Sequence, residues 1–211
     1  MSLMIPGAVG PLEAKLWRPP GGARPPAAAV FCHPHPLHGG TMNTTAVFRS
    51  ARGLEEAGLA VLRFNFRGVG KSAGVHDGKG AEEQDLRAAL DYMEREFPGV
   101  ELWAGGFSFG SRTSASFAPK DARIRRILLV ALPVRAYDCS FIRHVRQPGL
   151  ILMAGKDEFG TLAELKDQYP DLPANLETDE IPDTNHFFET RTQELQARVR
   201  SWAERCLAAR T

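Results

Sequence analysis

Five short, mostly apolar runs, bounded by glycine, proline or polar residues, limit what this chain can fold into more than any other feature. They occupy 27–32, 59–66, 100–104, 127–132 and 150–154. Runs of this length suit strands buried on both faces, as in a parallel sheet. Between them, apolar residues recur at helical spacing. Val47, Ala51, Leu54 and Gly58 step by four, three and four, as do Leu86, Leu90, Met93 and Phe97, and near the C-terminus Leu195, Val199, Trp202 and Cys206. The alternation predicts βαβ crossovers and a mostly parallel, doubly wound α/β sheet with helices on both faces. Segment 4–17 has no helix before the next run, so it is expected to add an antiparallel hairpin at the sheet edge. The breaker cluster Pro19-Pro20-Gly21-Gly22-Ala23-Arg24-Pro25-Pro26 is too short for a linker, and residues 1–211 are expected to form a single domain.

Charge excludes some partners. Lys and Arg number 26 against 25 Asp and Glu, a net charge of +1, which gives no sequence-wide reason to bind nucleic acid or an anionic membrane. No uncharged apolar run approaches the roughly 20 residues that span a bilayer. The start, MSLMIPGAVGP, lacks the basic region and apolar core of a secretory signal. Cys32, Cys139 and Cys206 are odd in number and widely spaced, which suits a reducing cytosol and disfavours a disulfide framework. The expectation is a cytoplasmic protein acting on a small molecule.

One segment carries specific chemistry. The run at 100–104 leads into Gly106-Phe107-Ser108-Phe109-Gly110, a G-x-S-x-G string, followed by a helical segment over 112–117. In that context the serine sits on a sharp strand-to-helix turn that lifts its hydroxyl clear of the sheet, with glycines on either side leaving room for the turn.

With these residues the sequence resembles the α/β-hydrolase superfamily, in particular its small lidless bacterial members, which are esterase-like and similar to dienelactone hydrolases. The resemblance extends to His33-Pro34-His35-Pro36-Leu37-His38-Gly39-Gly40, matching an HPHPxxGG loop after the first central strand, and to Arg67-Gly68-Val69-Gly70-Lys71-Ser72. Dienelactone hydrolases use a cysteine nucleophile where this chain has Ser108, which argues against that particular activity.

A serine hydroxyl needs a neighbouring base, usually a histidine held by a carboxylate, and in this superfamily the order is Ser, then Asp or Glu, then His. Only His144 and His186 follow Ser108. His186 lies between a strand-like 176–181 and the C-terminal helix and is the expected base; His144 falls in a short helical connection and reads as surface. The resemblance puts the acid at Asp157, after the penultimate strand. Glu158 is its rival and Asp138 a distant third. The oxyanion of an acyl-transfer intermediate needs backbone donors. Phe109 N–H is one. Pro34 and Pro36 have no N–H, so the second is His35, Leu37 or His38, and the resemblance favours His35, with Leu37 as the alternative. His33 and His38 are expected to hydrogen-bond within the loop.

Other motifs are weaker. His33, His35 and His38 spell H-x-H-x-x-H, but neighbouring side chains on a proline-stiffened loop diverge, so no metal is expected. The segment 68–72 ends like a P-loop, yet Asn65 stands where that motif requires glycine. Arg67 and Arg112 could meet a substrate carboxylate, but exposed arginines are common and neither is assigned that role. The leading expectation is a cofactor-independent serine hydrolase of small carboxylic esters or thioesters, carboxylesterase-like, with an open site and no lid. The alternatives are a peptidase or amidase with the same machinery, and a catalytically silent binding protein of the same fold.

Overall fold

Continuous apolar runs become strands because a residue with neighbours on both faces has nowhere to expose a polar side chain. A computed structural model describes residues 3–209. In chain order the elements are β1 (Leu3–Ile5), β2 (Leu12–Trp17), β3 (Ala27–Cys32), α1 (Thr45–Glu56), β4 (Ala60–Phe64), α2 (Glu82–Glu96), β5 (Glu101–Phe107) and α3 (Phe109–Phe117). They continue with β6 (Ile124–Val130), β7 (Gly149–Ala154), α4 (Leu162–Gln168), β8 (Leu176–Ile181) and α5 (Thr192–Ala208). The strands form an eight-stranded sheet in the order β1-β2-β4-β3-β5-β6-β7-β8. β1 and β2 pair antiparallel at one edge, as the missing helix between them predicts, and β3 to β8 run parallel.

Each face buries its own cluster. On one, Val47, Ala51 and Leu54 of α1 and Leu195, Val199 and Trp202 of α5 pack on Phe31, Val61 and Trp103. Trp103 and Trp202 meet edge to face with ring centroids 5.3 Å apart. On the other, Leu86, Leu90 and Met93 of α2 join Phe117 of α3 against Val30, Leu62 and Ala104. Each fully buried Leu, Val or Phe side chain contributes about 1.5–3 kcal/mol, so the two layers fix the sheet and its loops. Among the described residues, no helix is long and apolar enough to cross a membrane.

Several element boundaries differ from the sequence expectation. β4 is shorter than the run 59–66, because Asn65 N–H donates to Glu13 O and Phe66 N–H to His33 Nε2, outside the parallel ladder. β5 continues through Gly105 and Gly106 to Phe107, and α3 starts directly after Ser108. β6 starts earlier, at Ile124, with the exposed Arg125 and half-buried Arg126 hiding its beginning.

Candidate active site

β5 lies inside the sheet between β3 and β6, so its C-terminal end opens between their loops, the region where open α/β sheets gather function. Ser108 sits there with φ 55° and ψ −119°, a conformation an L-residue holds only when its surroundings impose it. The flanking glycines are steric requirements. A Cβ on Gly106 would lie 2.3 Å from the carbonyl carbon of Gly110, and one on Gly110 would lie 2.5 Å from Cys32 O.

The loops after β7 and β8 bring two further side chains to this turn. His186 Nε2 is 2.8 Å from Ser108 Oγ, and His186 Nδ1 is 2.8 Å from Asp157 Oδ2. The imidazole and carboxyl side chains are 3% and 0% exposed. A carboxylate accepting the Nδ1 proton leaves Nε2 as the acceptor for the serine O–H. Asp157 Oδ1 also accepts the N–H of Phe159. The rings of Phe107 and Phe159 lie 4.9 and 4.6 Å from the imidazole and restrict its rotation.

The rival residues are placed elsewhere. Glu158 accepts the backbone N–H of His186 at 3.4 Å, away from the ring nitrogens. Asp138 accepts from Ser140 N–H and Oγ–H on the surface, and His144 is exposed. Arg67 is committed to a buried ion pair with Asp85, Nη2 to Oδ1 2.7 Å. Arg112 lies over the rings of Tyr137 and Phe141. The buried thiol of Cys32 is pushed up to about 12 by desolvation, too high for a nucleophile.

The loop after β3 faces the serine. Phe109 is the first residue of α3, and its N–H is one of the unpaired donors of a helix start. Leu37 N–H donates to His35 Nδ1, while the His35 N–H has no protein acceptor among the described residues. This division leaves His35, not Leu37, with a donor to spare. His33 is buried and holds the loop from within: Phe66 N–H donates to Nε2, and Nδ1 lies 2.6 Å from Pro34 O. His38 instead stacks on His35, with centroids 4.4 Å apart.

His33 couples this loop to pH. Burial depresses its pKa from 6.5 to about 4. The unfolded chain therefore binds the proton that the native state refuses, and stability rises with pH between about 4 and 6.5. Acidification from pH 7 to 4 is expected to remove about 3 kcal/mol through this residue. Denaturant unfolding across that range should show a smaller pH slope in His33→Gln; equal slopes would rule out the assignment.

A cleft of about 220 Å³ adjoins Ser108, walled by Pro133, Ala136, Tyr137, Phe159 and Phe187, with His35 and His38 at its polar side. The sequence reading did not identify this apolar wall. Its available signal was the pair of exposed aromatics beside the acid and base positions, Phe159 and Phe187.

A model of the alpha/beta hydrolase domain matches residues 27–210. The chain belongs to that family. This α/β hydrolase is 36% identical to an alpha-beta serine hydrolase homologue from Coxiella burnetii, with a TM-score of 0.87 over 95% of this chain and 96% of that one. It is 33% identical to XC6422 of Xanthomonas campestris, a serine hydrolase without lid, with a TM-score of 0.89 over 98% and 94%. An uncharacterized protein of Rickettsia prowazekii (strain Madrid E), RP471, is 32% identical over 183 residues, 82% of this chain and 77% of that protein. The hydrolase is lidless as well: residues 131–148 connect β6 to β7 with only a short 3-10 helix, Ser140–His144, between them and supply Pro133, Ala136 and Tyr137 to the cleft.

Proposed function

We propose that this hydrolase is a carboxylesterase-like serine enzyme that cleaves small carboxylic esters or thioesters through an acyl-enzyme on Ser108. The observation that carries the reading is the Ser108–His186–Asp157 chain of hydrogen bonds, 2.8 Å at each link. Ser108 Oγ attacks the acyl carbon as His186 Nε2 takes its proton. Asp157 holds the imidazole in the required tautomer and stabilises the imidazolium. The negative charge on the carbonyl oxygen falls to the N–H groups of Phe109 and His35, each such donor lowering the barrier by about 2.7–4 kcal/mol. His186 then returns the proton to the leaving group, and water releases the acyl group by the same steps.

Small acyl groups follow from the cleft. Ligand pockets commonly enclose roughly 300–1,000 Å³, and about 220 Å³ between aromatic walls accommodates a short chain. In a series of p-nitrophenyl esters, kcat/KM is expected to peak at short acyl chains and fall toward palmitate. A fluorophosphonate should add its mass at Ser108. A maximum at palmitate would overturn the size argument, and labelling elsewhere would overturn the nucleophile.

A further inference from the structure

A second buried carboxylate–imidazole pair lies behind the two N–H donors. His76, on the loop between β4 and α2, has Nδ1 2.6 Å from Glu82 Oε1, and their side chains are 5% and 1% exposed. Glu82 opens α2, where the helix start favours a negative charge. Its other oxygen, Oε2, is buried with no hydrogen-bond partner among the described residues. A half-satisfied buried carboxylate is a poor stability device, because desolvating it costs several kcal/mol that one hydrogen bond does not return. Its surroundings suggest another use. The His76 ring meets the His35 ring edge-on at 4.9 Å and the Phe109 ring at 5.8 Å, and those two rings meet each other at 5.0 Å.

From this contact set, and resting on the esterase reading above, we propose that Glu82 and His76 are positioning residues that hold the backbone N–H groups of His35 and Phe109 in register for the oxyanion. The loop after β3 and the start of α3 are separate segments, and two donors on separate segments converge only if something fixes their spacing. His76 touches both, and the Glu82 carboxylate keeps its ring from turning. Arg67, paired with Asp85, contributes positive charge close to Glu82. Donors aimed at developing charge act on the transition state more than on bound ester, so loosening them lowers kcat and leaves KM largely alone.

The test separates positioning from packing. The double variant His76→Phe, Glu82→Leu replaces the pair with apolar groups of similar shape, a change that is often neutral for stability. With p-nitrophenyl butyrate we expect kcat to fall roughly 10–100-fold, KM to change less than about twofold and thermal unfolding to stay close to that of the parent. Glu82→Gln, which still offers an acceptor to Nδ1–H, should recover most of the rate. If the double variant does not fold, His76→Gln keeps a donor for Glu82 but removes the ring, and it should show the same fall in kcat. A folded double variant or a folded His76→Gln with parental kcat overturns the proposal. A parent protein that neither turns over the ester nor reacts with fluorophosphonate overturns the esterase reading itself, and this inference with it.

Discussion

Replacing Ser108 with alanine is expected to lower kcat for a short-chain p-nitrophenyl ester by a factor on the order of 10⁶, and adding His186→Ala should cost almost nothing more. The reason is geometric. In the proposed mechanism the imidazole has one task in the first step, accepting the proton of a hydroxyl 2.8 Å away, and without the hydroxyl it has no proton to accept. Groups that act as one unit are lost as one unit, so the two effects do not add. Some rate above the uncatalysed reaction should survive in both variants, because the proposed N–H donors at Phe109 and His35 would still meet the developing oxyanion. Steady-state kinetics on the parent, both single variants and the double variant check this directly. Substantial turnover in Ser108→Ala would mean another nucleophile. A double variant much slower than either single one would mean that His186 does work independent of the serine.

The residues proposed to carry this chemistry were legible in the sequence to different depths. β3 and β8 match their expected spans, 27–32 and 176–181, because an all-apolar run and a strand tied to its neighbour by parallel pairing each have one obvious register. The strand-to-helix turn at Ser108 was legible because its glycines answer a steric demand that almost no other residue meets. Where β5 ends was not. Gly105 and Gly106 read as a turn, yet they are strand residues kept small by Leu128 O and by the backbone of Gly110. The ends of β4 escaped notice because the hydrogen bonds that stop it come from His33 and Glu13, far away in sequence. The Glu82–His76 pair escaped for a related reason: a histidine in a glycine-rich loop and a glutamate at a helix start look solvated until α2 packs down on the sheet.

The choice between the adjacent carboxylates at 157 and 158 was also left open by the sequence, and it sets the second large effect. Asp157 N–H donates to Ala154 O, and Gly160 N–H to Asp157 O. This tight turn after β7 sends the Asp157 side chain inward to His186 and leaves the Glu158 carboxylate 3.4 Å from the backbone N–H of the same histidine. Asp157→Asn is therefore expected to lower kcat about 10⁴-fold. An amide there donates to Nδ1, which forces the ring proton onto Nε2, so the imidazole faces Ser108 with a donor where an acceptor is needed. Glu158→Gln retains a carbonyl oxygen for the weak backbone contact and should stay within about threefold of the parent, since exposed contacts of that kind contribute little. Kinetics on the two variants, with thermal unfolding to confirm that both are folded, give a clear decision. If Glu158→Gln loses activity and Asp157→Asn keeps it, the acid has been assigned to the wrong neighbour. If both retain full activity, the imidazole needs no carboxylate to hold its tautomer, and the proton path through His186 fails with it.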